Sequence, residues 1–303
     1  LRDVDGFPRG DVEAQTRAGL LIAEGLRQPI CLAGSGWFFA VLRRLPPPLK
    51  RQLRLAGCQA MAHWRRYPNR RQLRQWHLDA DAAAAFSSKA SVWRSISTPI
   101  PERGDATTCA NRRHNLQLAI SALHNRLILP GTSFSLSQQL GEPTEAAGYR
   151  AGPVFVRGEV LRDAGGGLCL IATNLYQLFL HIGCEILERH NHSIDAYGEE
   201  RFYTLGEDAA IAFSTKDLAI RNPFRQPMLL RIHMLEHAVR SELVGPGGRP
   251  VQTLIQSTVL ERLMPSPSQR HPGWHVSTSR FIQQPSQNGW RQDYQSFSHY
   301  QPC

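Results

Sequence analysis

The residues best placed to do chemistry stand in Gly165-Gly166-Gly167-Leu168-Cys169 and just beyond it. Three glycines let the backbone turn tightly and approach another group closely. From Leu168 to Ile182, the apolar residues Leu168, Ile171, Leu175, Leu178, Phe179 and Ile182 recur at helical spacing. Cys169 is therefore predicted at a helix N-terminus. There, unpaired N–H groups and the helix dipole favour an anion and lower a thiol's pKa. The thiolate is the form that attacks a carbonyl carbon. Further along, Glu188-Arg189-His190-Asn191-His192-Ser193 offers two candidate bases, His190 and His192. Read as a strand over 185–193, period two puts Ile186, Glu188, His190 and His192 on one side. A plainer reading stands beside this one: a buried structural cysteine and a hydrogen-bonded histidine pair require no catalysis. Cys169, His190 and His192 could also hold zinc, but no fourth ligand stands at the usual spacing. No metal and no cofactor is expected.

These residues need a scaffold. The sequence predicts a helix from His114 to Leu127, with Leu116, Ala119, Ile120, Leu123 and Leu127 on one face, capped by Asn111 and stopped by Pro130-Gly131. Ser133–Leu136 alternates like a short strand. Pro153–Val156 and Val160-Leu161 flank Arg157-Gly158-Glu159 as a β-hairpin that delivers the chain to the glycines. Further strands are expected at 209–213, 217–221 and 228–234, and one more element at 251–263. The expected fold class is α+β: one domain with an antiparallel sheet and helices, preceded by a basic helical arm. The domain boundaries read as 1–78 for the arm, 79–110 for a linker, 111–250 for the core and 251–303 for an extension. That extension is rich in Ser, Gln, Pro and His from Pro265 onward and is expected to be partly disordered.

The chain has 303 residues, of which 42% are apolar, enough for a substantial core. Its six cysteines, at 31, 58, 109, 169, 184 and 303, show neither CxxC pairing nor framework spacing, which points to reduced thiols. The formal charge is +10, yet residues 25–78 alone hold eleven Lys and Arg and no Asp or Glu. The basic character thus belongs to one segment. Within it, Leu49, Leu53, Ala56, Ala60, Met61 and Trp64 share a helical face, with Lys50, Arg51, Arg54, Arg65 and Arg66 around the other sides. Such a helix packs on the main domain with a solvated basic face, or lies on an anionic membrane surface through residues 49–74. Nucleic acid is not the expected partner. No apolar run reaches transmembrane length and no export signal is seen at the start. The expected location is cytoplasmic or membrane-peripheral, or the cell envelope if the N-terminus is incomplete.

From Asn111 to Met234 the sequence resembles the VanW domain, a family named for an accessory protein of glycopeptide-resistance clusters. The resemblance is carried by Asn115-Leu116, Pro130-Gly131-Thr132-Ser133-Phe134-Ser135, Gly148-Tyr149 and the Gly165–Cys169 turn. It continues through Glu188-Arg189, His192-Ser193, Gly206, Asp208-Ala209, Asp217-Leu218 and Asn222. It implies a cysteine acyltransferase of the L,D-transpeptidase kind, acting on peptidoglycan stem peptides or precursors. Cys169 would be the nucleophile and His192 the base, with His190 second. Asp208 or Asn222 would orient the imidazole, and Gly166, Gly167, Arg189 and Asn222 would bind substrate. The alternative is a non-catalytic accessory or precursor-binding protein on the same fold. One position departs from the family pattern: Leu170 stands where Gln is usual. That removes a side-chain donor beside the nucleophile and implies a weak or inactive member of the family.

If the basic arm is peripheral to the chemistry, deleting residues 25–78 weakens binding to anionic vesicles in a sedimentation assay and leaves the alkylation rate of Cys169 unchanged. Unfolding of the truncated chain would instead make the arm part of the packed domain.

Overall fold

The computed structural model describes residues 76–303, apart from 157–158, 214 and 286–288. The proposed interfacial helix at 49–74 therefore lies outside the described residues.

The main sheet has five antiparallel strands in the order β1 (Trp76–His77), β3 (Arg126–Ile128), β9 (Met228–Met234), β10 (Ala238–Pro246), β2 (Ala90–Pro99). Alternation assigns its two faces. Met228, Leu230 and Ile232 of β9, with Val239 and Leu243 of β10, enter the principal core. Leu229 and Val244 point the other way, onto Ala83 of helix α1 (Ala80–Ser87). A strand buried on both faces reads as an apolar run, and Met228-Leu229-Leu230 is one.

Two long helices cover the core face. Helix α2 (Ala106–Leu123) lays Leu116, Ala119, Ile120 and Leu123 inward and packs on β9. It begins at its Asp105 cap, whose carboxylate accepts the Thr108 N–H at 2.6 Å, and not at Asn111. Next come β4 (Ser133–Ser135), the five-residue helix α3 (Leu136–Leu140), and the hairpin of β5 (Ala151–Val156) and β6 (Glu159–Ala164). Helix α4 (Leu168–Ile182) follows, lying against β2 and β10 with almost every side chain buried. It ends at Gly183, which adopts φ +95°. The guanidinium of Arg280 donates to the carbonyls of Leu180 and Cys184 at 3.1 and 2.9 Å, placing a cation at the negative end of the helix. β7 (Glu185–Glu188) and β8 (Ala219–Arg221) join β4 in a small sheet of order β4-β8-β7. No helix among the described residues is long and apolar enough to cross a membrane.

The fold class is α+β, as the sequence predicts. Three local expectations are corrected. Residues 90–99 are an edge strand of the main sheet and not linker, because Trp93 and Thr98 are buried against it. Residues 209–213 make only an isolated bridge between Ala212 and Lys216. The extension expected to be loose from Pro265 instead builds a further antiparallel sheet, in which the expected element at 251–263 is β11 (Gln252–Leu263), followed by β12 (Gly273–Gln283) and β13 (Arg291–Tyr300), with Val276, Thr278, Arg280, Ser298 and Tyr300 buried.

The Gly165–Gly167 turn is held from beneath by Asn115 on α2. Its Nδ2 donates to the carbonyls of Arg150 and Gly166 at 2.9 and 3.0 Å, and its Oδ1 accepts the Arg150 N–H at 2.8 Å. Asn115 is wholly buried, so its loss strands several polar groups at about 1–3 kcal/mol each. Asn115→Leu is expected to lower stability in urea titration by about 2–4 kcal/mol and to slow Cys169 alkylation, since the turn that aims the thiol loses its support.

Candidate functional site

Cys169 is the second residue of α4. Gly167 caps the helix at φ +101°, a conformation that costs an L-residue. A Cβ there would also come within 2.8 Å of Arg112 Cγ. In the first turn, the N–H groups of Leu168 and Leu170 bond back to the carbonyls of Gly165 and Gly167. Among the described residues no acceptor takes the Cys169 N–H, which leaves it as the donor nearest the thiol.

Three segments meet at the thiol. Thr173, one turn along α4, donates to the Ala209 carbonyl and accepts the Ala209 N–H, fixing the 208–211 segment to the helix. The Ala210 N–H donates to the His190 carbonyl at 2.7 Å, tying that segment to the chain leaving β7. The Cys169 sulfur consequently lies 3.8 Å from the Ile211 carbonyl, with the His192 imidazole near enough for its charge to act on the thiol. His192 donates through Nδ1 to Asp208 Oδ2 at 2.6 Å, leaving Nε2 for the thiol, and its own backbone N–H reaches the same oxygen at 2.8 Å. Tyr203 stacks on the ring, with centroids 5.9 Å apart. Asp208 Oδ1 accepts from Arg189 Nη2 at 2.8 Å and from the Tyr300 hydroxyl at 2.5 Å.

The electrostatics follow from these contacts. Burial by itself favours neutral groups. At Asp208 the Arg189 charge and the His192 bonds outweigh it and hold the carboxyl well below the usual range. At His192 the bonds to Asp208 and Cys169 overcome burial and push the imidazole up to about 10. At Cys169 burial is again outweighed, by the His192 hydrogen bond and charge, so the thiol ionises below its ordinary value. Cys184, at the other end of α4 with no such partner, is pushed up to about 12 by burial. The site therefore favours a thiolate–imidazolium pair oriented by a buried carboxylate, the arrangement that arms a cysteine for acyl transfer.

The sequence-derived candidates thus separate. Cys169, His192 and Asp208 come together, and Gly166 and Gly167 form the turn beside them. His190 does not join: the ladder of β7 shifts register between Ile186 and Glu188, the strand ends there, and His190 turns to Glu188 at 2.9 Å. Arg189 is 4% exposed and spends its donors on Asp208, Gly206 and Ser298, so it positions the carboxylate and does not face substrate. Asn222 is wholly buried elsewhere. It donates to the carbonyls of Ile128 and Gln226 and stitches the chain after β8. Tyr300 and Ser298 had no signal in sequence, because they arrive from the last strand.

Cys169 and His192 open onto a cleft of about 1170 Å³ whose wall also includes Arg112, Tyr197, Phe202 and Ile211. Leu170 borders it but is 3% exposed and packed in the core.

Fold and site together define an α+β protein with a cysteine–histidine–aspartate centre at the start of a buried helix. Residues 111–244 match the family described as VanW like protein, and this segment is a VanW-like domain. The chain is 28% identical over 165 residues to "Uncharacterized protein YoaR" of Bacillus subtilis, covering 54% of this chain and 50% of that one. It is 31% identical over 113 residues to "Vancomycin B-type resistance protein VanW" of Enterococcus faecalis, covering 37% of this chain and 41% of that one. The chain thus spans about half the length of these relatives or less. No solved structure matches.

Two measurements probe the electrostatics. Alkylation rate against pH should give Cys169 a midpoint below that of a free thiol, about 8.5. His192→Ala should raise that midpoint, whereas His190→Ala should leave it in place. Asp208 adds its own signature. Its folded pKa is depressed, so its stabilisation is present above the ordinary carboxylate value and lost as pH falls through the folded one. Urea midpoints of the parent are expected to drop below about pH 4, and those of Asp208→Asn to start lower and depend less on pH there.

Proposed function

We propose that this chain is a cysteine acyltransferase of the L,D-transpeptidase kind, acting on the stem peptide of peptidoglycan or its precursor. The observation that carries the reading is the Cys169–His192–Asp208 array, with Cys169 and His192 lining one cleft and Asp208 holding the imidazole. The name of the Enterococcus faecalis relative, a vancomycin resistance protein, supports a cell-wall substrate.

The chemistry runs in two halves. The Cys169 thiolate attacks the carbonyl carbon of the donor stem's last peptide bond, forming a C–S bond. Charge gathers on the carbonyl oxygen, where the Cys169 N–H and the helix N-terminus stabilise it. The carbon–nitrogen bond then breaks, and the leaving amine of the terminal amino acid takes the proton held on His192 Nε2. A thioester remains. In the second half an acceptor amine adds to the thioester carbonyl, gives its proton to His192, and expels the thiolate. Asp208 stays ionised throughout; it fixes the tautomer and the ring orientation. Basic residues 49–74 are proposed to bring the protein to an anionic membrane surface, where lipid-linked precursors are held.

Incubation with a tetrapeptide stem, read by intact-protein mass, tests the reading. The expected adduct equals the donor less its terminal amino acid, is absent in Cys169→Ala, and is strongly diminished in His192→Ala. No adduct with any stem, from a protein whose Cys169 still reacts quickly with iodoacetamide, would leave the accessory-protein reading in its place.

A further inference from the structure

Arg112 is a buried charged group in the cleft that the chemistry above does not use. It is 6% exposed and lines the same cleft as Cys169 and His192. Its stem runs beneath Gly167, two residues before the nucleophile, where even a methyl group on Gly167 would strike Cγ. Tyr197 is near enough to both Arg112 and Cys169 for each charge to act on its phenol. A buried guanidinium is normally paired, because removing its charge from water is costly. Arg112 has no carboxylate partner among the described residues. Its Nη1 donates to the Pro101 carbonyl and toward the Cys109 sulfur, and its Nη2 donates to the Arg103 carbonyl at 2.8 Å. Asp105, on the same cleft wall, caps α2 through the Thr108 N–H. Carbonyl dipoles stabilise the charge but do not neutralise it. A guanidinium has five N–H donors, and these bonds leave Nε–H and one Nη2–H. An Nε–H and an Nη2–H are a pair with which a guanidinium can receive a carboxylate bidentately.

We infer that Arg112 is the carboxylate-recognition residue of the cleft, and that it takes the C-terminal carboxylate of the acyl donor, on the residue that leaves. This rests on the acyl-transfer reading. The leaving residue's carboxylate is the nearest carboxylate beyond the scissile carbonyl, and Arg112 flanks the turn that presents the attacking sulfur. Its recognition would select the last peptide bond of a chain over internal bonds, whose corresponding carboxyl is an amide.

The test compares two tetrapeptide donors, one with a free C-terminus and one amidated, by rate of thioester formation. The parent is expected to prefer the free acid by at least about ten-fold, the discrimination of one charge-assisted bidentate contact. Arg112→Gln should abolish that preference by slowing the acid alone, with Arg112→Lys intermediate, while alkylation of Cys169 by neutral iodoacetamide keeps its rate in both. Donors with and without a side-chain carboxylate at the third residue separate the two sources of carboxylate; if the preference follows the side chain, the assignment to the C-terminus is overturned. Equal rates for acid and amide in the parent overturn it too, as does a preference that survives in Arg112→Gln. Because Arg112 also holds the 101–103 loop, a parent-only measurement stands beside the variants. N-acetyl-D-alanine should protect Cys169 from iodoacetamide and its amide should not, and equal protection counts against the inference. Protection by the acid without thioester from any donor would sink acyl transfer and leave the carboxylate site standing. Thioester formation indifferent to the C-terminus would do the reverse.

Discussion

The Asp208 carboxylate is ionised and fully buried, and the rest of the site is arranged to make that tolerable. Burying one charge costs several kcal/mol unless every lone pair finds a donor and an opposite charge stands close. Asp208 receives four donors: the His192 backbone N–H, the His192 Nδ1–H, the Arg189 Nη2–H and the Tyr300 hydroxyl. Arg189 must be satisfied in turn, and it is, by the carbonyls of Asp208 and Gly206 and by the Ser298 hydroxyl, with its guanidinium over the Tyr176 ring at 4.9 Å. One carboxylate therefore ties together three distant stretches of chain, 189–192, 206–208 and 298–300. The same bonds that solvate Asp208 set the imidazole's direction, so stability and orientation are one network.

Two of its members come from β13, beyond the matched residues 111–244. The sheet β11-β12-β13 also sends Arg280 to the carbonyl end of α4, whose amino end carries Cys169. It grips the Cys169 helix at one terminus and the Asp208 carboxylate at the other side of the site. Residues 252–300 are in this sense a brace for the triad and not an appendage.

That brace explains what sequence could and could not disclose. The helix from Leu168 to Ile182 and strand 228–234 were legible because their apolar spacing is strong. In β12 and β13 the pattern is inverted. Thr278, Arg280 and Ser298 face inward with hydrogen-bond partners, while Phe297 is exposed. A sheet whose buried face sets Thr278, Arg280 and Ser298 beside Val276 and Tyr300 has a weak hydropathy signal, and the Ser- and Gln-rich stretch reads as disorder. Within the site, Cys169 was marked by the glycine turn. Preferring His192 over His190 came from resemblance, since strand parity placed both on one face; parity failed because the strand ends at Glu188. Arg112 was missed because an arginine on an amphipathic helix reads as solvated, and nothing local tells a buried one apart. Leu170 shows the converse. Its side chain is packed in the core at the cleft's edge, so the nearest oxyanion donor is backbone, which any residue supplies.

The coupling between Cys169 and His192 also bears on the order of events. The imidazole is held up at about 10 partly by the thiolate's hydrogen bond and charge. Such a group keeps its proton firmly at neutral pH, which suits a resting ion pair but makes a reluctant acid. In the proposed acyl transfer, thioester formation would remove the thiolate charge and leave only Asp208 to sustain the imidazolium. The His192 pKa must then fall, since burial opposes the charged form. The proton becomes easier to give as the carbon–sulfur bond forms, when the leaving amine needs it. The acyl-enzyme then holds an imidazole better able to act as base toward the acceptor amine. On the proposed reading a single pair would serve both halves of the reaction, because the covalent state of the sulfur would set the basicity of the ring.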